Sequence, residues 1–171
     1  YRENQKSSLD LLYEECINQQ GQYVVLASLK NYYKFISTEK GDLNRHLFDA
    51  NVRDFLGLNA VNTDIFHSLK RQDGPDFWWL NNGVTIIGSN ARIIGKQITI
   101  ENAKIVNGLQ TSESIYNYFT SSPDVSDSRH ILIKILLSED PNTCNAIIYA
   151  ANNQTNVNTT ALRATDKVQY D

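Results

Sequence analysis

Ile131, Leu132, Ile133, Lys134, Ile135, Leu136 and Leu137 form an almost continuous apolar run of β-favouring residues. Successive side chains of a strand point to opposite faces of its sheet, so a run like this needs cover on both. That requirement constrains the fold more than any other stretch. It puts residues 131–137 near the centre of a sheet with helices packed against it. The expectation is an α/β or α+β fold with a mixed sheet of about five strands flanked by helices. At 171 residues the chain has the length of one domain able to bury a core.

A second stretch organises the polar residues. Ile98 and Ile100 alternate with polar neighbours, Lys104-Ile105-Val106 is a short β-favouring run, and Asn107-Gly108 interrupts it. Leu109, Ser112, Tyr116 and Phe119 then recur at helical spacing. A strand that turns at glycine straight into a helix directs unpaired N–H groups and the positive end of the helix dipole at one point, which suits an anion. Asn-Gly is also a common tight-turn pair, so an ordinary turn accounts for the same residues.

The rest of the chain reads as scaffold and punctuation. Leu9, Leu12, Tyr13, Cys16 and Ile17 make a helical stripe over residues 8–20, capped by Ser7 with Asp10 and ended by Gly21. Residues 23–26 read as a strand, and Leu29, Tyr32, Tyr33 and Ile36 stripe a second helix; both helices are expected to form a flanking layer. Phe48, Val52, Phe55 and Leu56 suggest a helix within residues 47–57. Its Arg53 is either a solvated surface residue or the partner of a nearby acid such as Asp49, or else a guanidinium turned inward to hold a phosphate or fix the site's geometry. A helix over residues 63–72, capped by Asn62, ends in Lys70 and Arg71, where cations favour the dipole.

After the break at Asp73-Gly74-Pro75, Phe77-Trp78-Trp79-Leu80 leads through Asn81-Asn82-Gly83 into a strand at residues 84–87. Adjacent tryptophans cannot face the same way in a regular element, so one anchors the core while the other lies over a cleft, unless both simply pack. Residues 91–94 and 97–100 form a hairpin turning at Gly95-Lys96. Residues 120–129 read as a polar, mobile loop. Asp140-Pro141 opens a helix striped by Cys144, Ile147, Ile148 and Ala151, which runs into the amide-rich stretch Asn152-Asn153-Gln154-Thr155 and a last helix from Thr159 or Thr160.

The net charge of −3 argues against a broad basic nucleic-acid footprint, though not against a small basic cleft. Asparagine makes up roughly one residue in nine, and amides that donate and accept suit both turns and the reading of bases or phosphates. Cys16 and Cys144 read as reduced core thiols of a cytoplasmic protein. No apolar run spans a membrane, and the absence of methionine suggests a piece of a longer protein. No carboxylate cluster and no spacing among His46, His67 and His130 suggests a metal site, and no cofactor is evident.

Taken together, Asn51-Val52-Arg53-Asp54-Phe55-Leu56-Gly57, Phe77-Trp78 ahead of Asn81-Asn82-Gly83-Val84-Thr85-Ile86, Ile105-Val106-Asn107-Gly108-Leu109-Gln110-Thr111, and Asn152-Asn153-Gln154-Thr155 resemble the abortive-infection phage-resistance family, AIPR, over about residues 43–169. Residues 1–42 are then a scaffold and 43–171 the motif-bearing core. The Asn107-Gly108 turn is also similar to the motif of ParB/sulfiredoxin-like proteins, which bind nucleotide phosphates at such a turn; Gln110 and Thr111 stand where that motif has His and Arg.

The resemblance implies a phage-defence core that binds a nucleotide or nucleic-acid phosphate and acts on phosphodiesters. The alternative is a non-catalytic sensor or interaction module that switches a partner. Candidate ligand residues are Asn51, Arg53, Asn81, Asn82, Gly83, Asn107, Gly108, Gln110, Thr111, Asn153, Gln154 and Thr155, with catalytic residues unassigned. They are expected to converge on one surface at strand ends, where α/β proteins put their sites. Expected partners are nucleic acid or nucleotide and other domains or chains of a defence system, with no membrane.

Overall fold

The computed structural model of the chain describes residues 8–49, 60–71 and 73–151. Among the described residues, the strands form two sheets. The larger has the order β2 (Glu15–Gln19), β3 (Gln22–Ser28), β8 (His130–Leu137), β4 (Val84–Gly88), β7 (Lys104–Asn107). All neighbours in it are antiparallel except β4 and β8, which run parallel. The smaller sheet is antiparallel, in the order β1 (Ser8–Leu12), β6 (Gln97–Glu101), β5 (Asn90–Ile94). The helices are α1 (Leu29–Phe35), α2 (Ala60–Lys70), α3 (Phe77–Leu80), α4 (Leu109–Ser121) and α5 (residues 141–151).

The mixed five-stranded sheet with β8 at its middle is the architecture the apolar run implies. Its cover is uneven, however. Ile131, Ile133 and Ile135 are fully buried, while on the other face Leu132 and Leu136 are half-buried and Lys134 is exposed. The strand buried along its whole length is β4. One hydrophobic cluster joins both sheets to the helices, with Leu29 and Tyr32 of α1, Leu69 of α2, and Ile115 and Phe119 of α4 packed among β-strand residues. Among the described residues no helix is long and apolar enough to cross a membrane.

The expected first helix is instead two strands. Leu9, Leu11 and Tyr13 turn inward with period two, whereas Leu12 and Ile17, which the helical stripe would have buried, are exposed. Strand partners decide the matter: Leu11 lies opposite Ile98 in β6, and Ile17 opposite Val24 in β3. Gly21 does not stop a helix; with Gln20 it makes a two-residue hairpin loop, both residues at positive φ. Cys16 therefore sits on a strand, and Cys16 and Cys144 are half-buried free thiols, not core residues.

Other boundaries also move. The helix read at residues 63–72 begins at Ala60, so Asn62 lies inside it and does not cap it. Of the helix read at residues 47–57, residues 45–49 form one 3-10 turn that buries Leu47 and Phe48, and the remainder lies outside the described residues. The stretch read as a mobile loop at residues 120–129 begins inside α4 and ends in a buried ionic knot, described below.

Candidate ligand site at the Gly108 turn

Strand direction brings three polar stations together. Because β4 and β8 are parallel and β7 is antiparallel to β4, the start of β4, the start of β8 and the end of β7 share one end of the sheet. The helix α4 begins there. After β8, α5 returns toward the same end, and Asn107 Nδ2 donates to the carbonyl of Ala151 at 3.4 Å. The stations thus meet at the amino ends of the parallel pair, the reverse of the carboxyl-end position usual for open α/β sheets.

Asn81 is the connector. Its Oδ1 accepts from the Gly83 amide at 2.8 Å, closing an Asx turn, and its Nδ2 donates to Thr111 Oγ1 at 3.1 Å. The turn entering β4 is thereby tied to the first turn of α4. Gly108, at φ 97°, occupies the N-cap position in the left-handed region. A Cβ there would stand 2.8 Å from the Gly83 carbonyl oxygen and 2.5 Å from Val84 Cγ1, so only glycine allows the two turns to touch. Gly83 has the same constraint: at φ 80°, its Cβ would run into the Leu132 carbonyl.

The helix start is held from below. Ser112 donates its amide (2.9 Å) and its hydroxyl (2.8 Å) to the Gly108 carbonyl. With that proton used, Ser112 Oγ accepts from Tyr32 OH at 2.5 Å. Tyr32 is fully buried, and burial pushes its hydroxyl far above its ordinary pKa, with the Ser112 bond only partly offsetting that, so it stays a donor. Ser112 N to Gly108 O is the first intrahelical bond. The amides of Leu109, Gln110 and Thr111 precede it and belong to the orphan donors of a helix start.

Of the residues singled out from sequence, the structure brings Asn81, Gly83, Asn107, Gly108 and Thr111 together. Asn82 is exposed beside them, and Gln110 is half-buried on the first turn of α4. Asn51, Arg53, Asn153, Gln154 and Thr155 lie outside the described residues. Thr111 is buried and bonded to Asn81, so both act as braces for the turn, not as outward-facing groups.

No sequence pattern singles out Arg129 and Asp127, which lie at the same end of the sheet. Arg129, 9% exposed, donates through Nε and Nη2 to Asp127 (3.0 and 2.7 Å) and through its η nitrogens to the carbonyls of Ser68, Leu69 and Arg71. It closes the C-terminus of α2 and pins it to the start of β8. Burial works against the Asp127 carboxylate, but the hydrogen bonds and charge of Arg129, with the Tyr118 hydroxyl, outweigh it and hold the carboxyl below its ordinary value. Next in chain, His130 donates its amide to Asp76 Oδ1 (2.7 Å), and its Nδ1 meets Asp76 Oδ2 (2.8 Å), fastening α3 to β8. A lone Arg-His pair ahead of an apolar strand has no periodicity, so nothing in the spacing marks its burial.

In α3, Phe77 is the buried anchor, Trp78 is half-buried with its ring 5.0 Å from that of Trp79, and Trp79 and Leu80 are 70% and 63% exposed. An exposed aromatic and an exposed leucine therefore stand directly before the Asn81 turn. Among the described residues, no three His, Cys, Asp or Glu side chains are grouped to hold a metal ion.

The family model described as AIPR protein matches residues 48–171, which include every station of the turn. No curated protein and no solved structure matches the chain.

Proposed function

The chain belongs to the AIPR family of abortive-infection phage-resistance proteins, and on that premise we propose that the Gly108 turn binds the phosphate of a nucleotide or nucleic acid in phage defence. The observation that carries the reading is the braced start of α4. Three amides precede the first intrahelical bond, the backbone is set by Gly108 and the Asn81–Thr111 link, and the positive end of a 13-residue helix lies behind them. Asn82 and Gln110 supply amides beside it for an attached base or sugar. The reading carries with it a cytoplasmic setting, and other chains or domains of a defence system as partners.

The test is calorimetric titration of the full chain with a panel of nucleotides and short single-stranded oligonucleotides. Gly108→Val should abolish binding by disturbing the turn. Gln110→Glu, which leaves the turn intact, should weaken it through a charge repulsion that added salt screens, so the fall of binding with salt becomes shallower. Lys70→Ala, at a helix end whose ammonium lies over Phe66, should change little. Undiminished binding by both turn variants would remove the site. The same incubations, analysed for cleaved phosphodiesters, separate binding from turnover.

A second reading, a protein-interaction module that switches a partner, is favoured by the exposed Trp79 and Leu80. Trp79→Ala should then impair partner capture while leaving nucleotide titrations untouched.

A further inference from the structure

The opposite end of the larger sheet carries a crevice of different chemistry. It encloses about 320 Å³ and is lined by Ile87 of β4, Val106 of β7, and Cys144 and Ile148 of α5. That volume lies within the range of small-molecule sites. The crevice opens past the carboxyl ends of β4 and β8, where the Gly88 carbonyl accepts from the Ser138 amide at 2.9 Å. Crevices outside the carboxyl ends of parallel strands are the usual ligand position of open α/β sheets. The polar stations at the Gly108 turn leave this end of the sheet unassigned.

Lys104 gives the crevice its polarity. It lines this cavity and an adjoining one of about 290 Å³ that shares Asn102 with it. Its ammonium donates to the His46 carbonyl at 2.9 Å and to Asp49 Oδ2 at 3.1 Å. An ammonium has three N–H groups, so these two bonds leave a third for an acceptor brought by a ligand. Glu139 also lines the crevice but is exposed, where water and salt screen it.

We propose that this crevice is a binding site for a small amphiphilic anion. The apolar body rests against Ile148 and the small accessible part of Ile87, and a carboxylate, sulfonate or phosphate end is held by Lys104. The proposal is independent of the phosphate reading of the Gly108 turn, since the two sites lie at opposite ends of β4.

Cys144 makes the site testable, because replacing Cys16 by Ser leaves it as the one thiol of the chain. The probe is anilinonaphthalene sulfonate, an aromatic body with one anionic end. Its fluorescence should saturate at one site per folded chain. At ten times the dissociation constant it should slow alkylation of Cys144 by iodoacetamide about tenfold. Lys104→Met should weaken binding by about tenfold or more. Cys144→Phe, which fills the cavity from the half-buried side of α5, should abolish it with circular dichroism unchanged. No saturable binding, binding that leaves Cys144 alkylation unslowed, or binding indifferent to Lys104→Met would each overturn the proposal. Decanoate and an alkyl phosphate, used as competitors, then distinguish a carboxylate head from a phosphate head.

Discussion

Asn81 and Thr111 stand thirty positions apart, and their side chains are hydrogen-bonded at 3.1 Å. The bond joins the loop that enters β4 to the first turn of α4. It makes the two Asn-Gly turns of the chain, at Gly83 and Gly108, one structural unit. Removing it should be felt at both.

Asn81→Ala strips the buried Thr111 hydroxyl and the Gly83 amide of a partner, and should cost about 1–3 kcal/mol in urea unfolding. Asn81→Asp keeps the acceptor that Gly83 uses, so it should cost less. An alanine variant as stable as the parent would show that the bond does not brace the turn.

Arg129 and Asp127 form a buried pair, with side chains 10% and 1% exposed. Arg129→Met leaves a buried carboxylate and the uncovered carbonyls of Ser68, Leu69 and Arg71, and should destabilise by about 3–5 kcal/mol. The pH dependence has a definite sign. The Asp127 carboxyl titrates below its ordinary value in the fold, so its contribution is complete above the unfolded carboxylate pKa of about 3.9. It is lost as pH falls through the depressed folded value. Urea midpoints measured from pH 6 downward should fall less steeply in Asp127→Asn than in the parent.

Gly108 and Gly74 have nearly equal φ, 97° and 95°, but different surroundings. Gly74→Ala meets nothing within 4 Å and should cost only the left-handed penalty of about 1–2 kcal/mol. Gly108→Ala adds the contacts with Gly83 and Val84, and should cost clearly more in the same thermal unfolding experiment. Equal losses would mean that the close approach of the two turns carries no energy.

Tyr32→Phe removes the donor under Ser112 while keeping the ring in the core. The loss should be about 1 kcal/mol. Amide exchange at Ser112 should accelerate more than exchange at the far end of α4, because the hydroxyl chain supports the first turn alone.

Features that depend only on neighbours along the chain were legible in the residues alone. The run at residues 131–137 has almost no polar face, and burying it cheaply requires the middle of a sheet, which is where β8 lies, between β3 and β4. The hairpin at Gly95-Lys96 and the strand-turn-helix at Gly108 were legible for the same reason: glycine at positive φ is a local requirement. The first strands were not legible, because their partners come from distant parts of the chain. Leu9, Leu12, Cys16 and Leu9, Leu11, Tyr13 satisfy helical and strand periods equally well, and only β6 and β3, supplied by distant residues, select the second. The Asn81–Thr111 brace and the Arg129 clamp were hidden likewise. Periodicity records which face of an element avoids water; it does not record which distant carbonyl or hydroxyl meets a polar side chain once that face is buried.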